Sequence, residues 1–158
     1  MRVGERMHRD PIVARVNDTL GDARRLLARH GMRGIPIVRR SRLVGMVSEG
    51  DVAWAQPSAA TTLTVGEIHG QLGRVPIERV LAADTTAVGR RTPLAEAIRL
   101  MRSRHLAALP VVSGHELIGV LTEEALLELL TVLLTPETSS RETEAAKHFG
   151  RPIGDTYY

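Results

Sequence analysis

The sequence predicts an α+β fold in which two pseudo-symmetric β-α-β-β-α repeats share one chain of 158 residues. Three observations carry that expectation. First, the chain matches itself at an offset of 74: residues 19–52 overlay residues 93–126 without a gap, and nine of the 34 pairs are identical. Second, each copy shows an apolar period of helical type followed by two short apolar runs that a polar turn separates. Third, a duplicated unit of this size buries its apolar face against its twin. Two copies that face each other leave a cleft, and positions where they differ are where function can be read.

The elements follow in order. Pro11–Val16 reads as a short strand. Leu20, Ala23, Leu26 and Leu27 then recur at helical spacing, with Arg24, Arg25 and Arg29 on the opposite face. Asp18 is expected as N-cap, with Asp22 in the first turn, where the helix dipole favours an acid. Ile35–Val38 and Leu43–Val47 form a hairpin around Arg39–Arg42, and a second helix starts at Ser48. In the second copy, Thr86–Val88 is the short strand. Thr92, Leu94, Ala97, Ile98 and Met101 mark the helix, with Pro93 at its first position. Leu109–Val112 and Leu117–Leu121 flank Ser113–Glu116, and a last helix starts at Thr122. Gly45 and Gly119 lie inside strands, which predicts close approach of another backbone or a ligand. These elements divide the chain into a first repeat (1–56), a linker with a short helix near Val65–Leu72 (57–76), a second repeat (77–135) and a polar tail (136–158) that is weakly structured or docked on something else.

Composition bounds the function. Apolar residues make up 43 % and charged residues 25 %, ordinary for one globular domain with one core. The net charge is only +3, so neither a nucleic acid nor a membrane surface is called for as partner. Cysteine is absent, which excludes a disulfide framework and a thiolate metal site. No N-terminal apolar segment of signal type and no run of 18 apolar residues occurs, so the cytoplasm is the expected compartment. The aromatic residues are Trp54, Phe149, Tyr157 and Tyr158, too few for a base-stacking platform on the body of the fold.

These residues carry a family resemblance. Each copy resembles a CBS domain, the module named after cystathionine β-synthase. In the first copy the matching stretches are Asp10–Val13, Thr19–Ala23, Gly34–Val38 and Leu43–Asp51; in the second they are Pro93–Ala97, Leu109–Val112 and Leu117–Glu123. The resemblance covers residues 3–135 and implies a tandem pair whose two three-stranded sheets pack together, with helices outside. It also implies a regulatory, non-catalytic module. Such pairs bind adenine nucleotides or S-adenosylmethionine between the copies, and commonly dimerise.

By that resemblance the ligand site lies mainly on the first repeat. Ser48 and Asp51 occupy the Ser/Thr-x-x-Asp positions that hold a ribose in nucleotide-binding members. Arg33 stands where some relatives place a phosphate contact. Ile12, Val13, Ile35, Pro36 and Thr122 complete the implied lining. The chemistry is sound: a carboxylate accepts two hydrogen bonds from a vicinal diol, beside free N–H groups at a helix start. Ser48 and Asp51 equally satisfy the pattern of a helix capping box, and the sequence leaves the two roles open. Arg33 is equally read as a plain surface arginine. In the second copy Asp51 aligns with Ala125 and Arg33 with Ala107, so one competent and one degraded site are expected.

Nothing else in the chain points to catalysis. The six histidines lack ligand spacing, and no glycine-rich phosphate loop, nucleophile elbow or paired catalytic carboxylate is present. No cofactor is required by this reading; an adenine nucleotide or S-adenosylmethionine is the expected ligand. With no further domain before or after the pair, any output is expected to act in trans on a protein partner. The alternative function is a ligand-independent dimerisation or interaction scaffold. Leu126, Leu127, Leu129, Leu130, Val132, Leu133 and Leu134 make the last helix apolar over more than one face. A homodimer through that helix is expected, with Phe149, Tyr157 and Tyr158 docked across it, or a tail that covers it within one chain.

Overall fold

The computed structural model describes residues 1–55, 64–81 and 85–135. The linker's Pro-, Ser- and Thr-rich start and the tail, including Phe149, Tyr157 and Tyr158, lie outside the described residues. Two units are distinguished, 1–126 and 127–158, and the account below concerns the first.

The offset of 74 survives folding, element by element. Strand β1 (Ala14–Arg15), helix α1 (Leu20–His30), strand β2 (Gly34–Arg39) and strand β3 (Arg42–Ser48) are followed by α2 (Glu49–Trp54) and α3 (Val65–Leu72). Strand β4 (Val88–Gly89), helix α4 (Leu94–Arg104), strand β5 (Ala108–Ser113), strand β6 (Glu116–Thr122) and helix α5 (Glu123–Leu134) repeat the order. Both hairpins carry a register shift at the same place, Ile37/Val38 in one and Val111/Val112 in the other. An extra residue there increases the local twist. Each half is a three-stranded sheet, with the first strand parallel and the hairpin antiparallel. One pair, Arg42 with Glu116, joins the halves into the order β1-β2-β3-β6-β5-β4.

The hairpin turns have two residues. The first has positive φ in both, 57° at Arg40 and 60° at Gly114, which matches the twist of the flanking strands. Both long helices end on a left-handed residue, Gly31 (φ 61°) and His105 (φ 53°).

The helix starts differ from expectation in two details. Thr19, not Asp18, is the N-cap of α1: its hydroxyl accepts from Asp22 N, and the Asp22 carboxylate accepts from Thr19 N at 2.9 Å. Asp18 instead accepts from Arg15 N at 2.7 Å, closing the turn before the helix. A hydroxyl with an acid three residues on outcompetes an acid alone because it satisfies two N–H groups. Pro93 is the N-cap of α4 rather than its first residue, and it has no side-chain cap. The first N–H of α4, on Leu94, is taken by Met1 O at 3.1 Å.

That bond belongs to a reciprocal exchange between the repeats. Leu20 N donates to Val75 O at 2.9 Å, and Ile77 N to Asp18 O at 3.0 Å. Val3 N donates to Thr92 O at 3.0 Å, and two short 3-10 turns, Val3–Glu5 and Ile77–Arg79, sit 74 residues apart. Each repeat thus seals the helix start of the other with the backbone ahead of its own first strand. Packing follows the exchange. Ile77 and Leu72 are fully buried in the core that Leu20, Ala23, Leu27, Ile35, Ile37, Val47 and Val52 form. Among the described residues the buried side chains are aliphatic apart from Met101, and none is polar.

The two strand glycines are close-approach positions, and what approaches is the chain itself. A Cβ on Gly119 would stand 2.8 Å from His8 O, and His8 pairs with Val120 through bonds of 2.8 and 3.0 Å. At Gly45 the neighbour is the Leu81 side chain.

Candidate functional site

A cleft of about 490 Å³ opens between the repeats. The first repeat supplies Arg33, Gly34 and the stretch Met46–Asp51; the second supplies Thr85, Thr86, Arg104, His105 and Leu106–Ala108 with Pro110. Its size suits a nucleoside-sized ligand. The local sequence explains the walls. Strand β3 ends where Ser48 caps α2, so the start of α2 faces the cleft. Helix α4 ends at His105, whose left-handed backbone turns the chain into β5 and leaves Arg104 and His105 on the opposite wall.

Ser48 and Asp51 form a complete capping box. Asp51 Oδ2 accepts from Ser48 N and from Ser48 Oγ, both at 2.7 Å, and Asp51 N donates back to Ser48 Oγ at 3.1 Å. The capping role left open by the sequence is therefore filled. It does not exhaust the carboxylate, because both bonds fall on Oδ2 and Oδ1 accepts none among the described residues. Thr19 with Asp22, and Thr64 with Glu67, form the same box elsewhere. The motif by itself is thus a helix signal, and the cleft sets Asp51 apart from the other two.

The remaining candidates divide. Arg33 lines the cleft, but its guanidinium is engaged: Nη1 donates to Glu123 Oε2 at 3.0 Å. Ile35 and Pro36 are fully buried inside the sheet, and Ile12 and Val13 are half-buried on the approach to β1. Thr122 caps α5, its Oγ1 accepting from Ala125 N at 3.2 Å, with no carboxylate to complete a box. Ile12, Val13, Ile35, Pro36 and Thr122 are absent from the lining of this cleft. Its second wall comes from positions 74 further on: Thr85 and Thr86 answer to Pro11 and Ile12, and Pro110 answers to Pro36. Arg104 and His105 were not singled out in the sequence. Their only signal is their place at the end of α4, next to the turn into β5.

The cleft is mixed in charge, with Arg33 and Arg104 against Glu49 and Asp51. Among the described residues no His, Asp and Glu cluster is placed to hold a metal ion, and no helix is long and apolar enough to cross a membrane.

Known proteins share this architecture. Over 115 residues the chain is 31% identical to an inosine-5'-monophosphate dehydrogenase of Korarchaeum cryptofilum, which covers 72% of this chain but only 21% of that enzyme. The AcuB protein of Vibrio cholerae superposes with a TM-score of 0.70 at 26% identity, covering 85% of this chain and 94% of its own. The structure of CBSX2 in complex with AMP gives a TM-score of 0.67 at 23% identity, covering 84% of this chain and 97% of that one. The family model of the CBS domain matches twice, at residues 3–58 and 72–132. With both repeats matched and the paired fold in place, the chain belongs to the CBS domain family.

Proposed function

We propose that this CBS pair is a non-catalytic sensor that takes an adenosine-containing ligand in the cleft of Asp51, and reports it through contacts with a protein partner or a second copy. One observation carries the reading: Asp51, which lines a cleft of nucleoside size, caps α2 through Oδ2 and has no bond on Oδ1 among the described residues. In that arrangement Oδ1 accepts from the ribose diol, while Thr85 and Thr86 stand on the facing wall. Arg33 and Arg104 supply the charge for a phosphate. The AMP held by CBSX2, a neighbour in fold, agrees with this ligand class. A ligand-independent scaffold remains the alternative reading, and the Ser48–Asp51 box favours it to the extent that capping alone accounts for both residues.

Thermal shift with AMP, ADP, ATP, NAD and S-adenosylmethionine tests the reading, since a ligand that binds only the folded state raises the melting temperature. For a ligand that does, Asp51→Ala is expected to lower affinity about ten- to hundredfold, the loss of a charge-assisted hydrogen bond. Calorimetry is expected to give one ligand per chain, because Ala125 and Ala107 replace the acid and the base in the second copy. No shift with any of the five would leave the scaffold.

A homodimer is part of the proposal. Leu127, Leu130, Val132, Leu133 and Leu134 are exposed along α5, more apolar surface than a solvated helix carries. Light scattering on the full chain and on a chain that ends at Pro136 decides between a dimer and a tail that covers these leucines. Monomers in both at micromolar concentration would rule out the dimer.

A further inference from the structure

A second cavity, of about 690 Å³, lies outside the cleft and is lined by Arg2, Gly4, Glu5, Arg9, Arg90 and Arg91. Four arginines and one glutamate are among the lining residues, a formal net charge of +3. The whole chain carries +3, so these six positions hold as much net charge as all 158 residues together.

The duplication shows that the fold does not demand this cluster. The six positions answer, through the offset of 74, to Pro76, Glu78, Arg79, Ala83, Val16 and Asn17 in the other copy. That set holds one base and one acid. The arginine cluster is therefore a feature of one end of the repeated scaffold and not of the other.

Backbone contacts hold the cluster together. Val3 N donates to Thr92 O at 3.0 Å, and Gly4 N to Arg90 O at 2.9 Å. Gly4 suits this approach, since a Cβ would be tight at 3.0 Å from Arg90 O. Arg2 Nη1 reaches Arg91 O at 3.5 Å, and Glu5 is occupied in accepting from Arg2 N at 3.1 Å. No ion pair neutralises Arg9, Arg90 or Arg91 among the described residues. The docked backbones bring Arg2, Arg90 and Arg91 to one place, so these segments need not be gathered when an anion binds.

We propose that this arginine cavity binds a compact multivalent oxyanion of the polyphosphate class, at a site separate from the Asp51 cleft. The concavity favours a small anion over an extended one. The lining has no aromatic side chain, so nothing there reads a nucleobase, and the phosphate groups themselves are the ligand.

Isothermal titration of the full chain with sodium tripolyphosphate tests this. We expect binding to weaken at least tenfold in the double variant Arg90→Ala/Arg91→Ala, and to persist in Arg33→Ala, which alters the other cleft. Circular dichroism checks that the double variant is folded; if it is not, Arg9→Ala, an exposed side chain outside the docked turn, carries the same expectation. Equal affinity in the parent and the folded arginine variants would overturn the proposal. Loss in Arg33→Ala alone would overturn it by moving the anion to the Asp51 cleft. Binding of duplex DNA without binding of tripolyphosphate would also overturn it, in favour of a nucleic-acid face.

Discussion

Arg33 Nη1 donates to Glu123 Oε2 at 3.0 Å, tying the residue before β2 to the first residue of α5. The pair spans the two repeats, and both side chains are more than half exposed. Under the proposed function, a ligand phosphate would compete with Glu123 for this guanidinium.

Glu123→Gln is expected to raise affinity for a phosphate-bearing ligand by about 1.4- to fivefold, the worth of an exposed ion pair of about 0.2–1 kcal/mol. Adenosine without phosphate should bind equally to both proteins. Titration calorimetry with the nucleotide and the nucleoside side by side measures the difference.

The hairpin turns offer a matched test of backbone strain. Arg40 has φ 57° where Gly114 has φ 60°. Arg40→Gly is expected to stabilise the protein by about 1 kcal/mol, since only glycine adopts positive φ without cost. Gly114→Ala is expected to destabilise it by a similar amount, although nothing within 4 Å would touch the new methyl group. Urea denaturation of both variants gives the two signs.

Ile77 belongs by sequence to the start of the second repeat and by packing to the core of the first. Ile77→Ala is expected to cost about 2–5 kcal/mol, as for a fully buried aliphatic truncation. Hydrogen exchange should show the loss of protection at Leu20–Leu27, the helix whose start the Val75–Ile77 segment seals. Uniform loss confined to residues after 85 would contradict the exchange.

The Thr19 backbone N–H, and then its hydroxyl, hold the Asp22 carboxyl below the ordinary aspartate range, and Arg25 adds to the effect. A carboxyl whose pKa is lower in the folded state contributes stability that is complete above its unfolded value and disappears as pH falls through its folded value. Stability should therefore decline on acidification below about pH 4. Asp22→Asn should flatten that part of the profile, read as melting temperature against pH.

The sequence by itself determined the repeat and its elements. An offset of 74 that aligns Leu20 with Leu94, Pro36 with Pro110 and Gly45 with Gly119 is enough to place both hairpins and both long helices, because helical and strand periods are local properties. The family resemblance, rather than any local period, pointed to Ser48, Asp51 and Arg33, which line one wall of the cleft where Gly34 pairs with Ser48. Tertiary structure alone decided the rest. The facing wall of Thr85, Thr86, Arg104 and His105 comes from the other repeat, so the candidates drawn from Ile12, Val13, Ile35 and Pro36 do not line this cleft. The capture of Arg33 by Glu123 joins residues 90 apart, which no local pattern encodes. The exchange of Val3 and Ile77 between repeats has the same origin. Each helix start needs acceptors for its free N–H groups, and in α1 and α4 the nearest one for the first N–H is the backbone of the other copy.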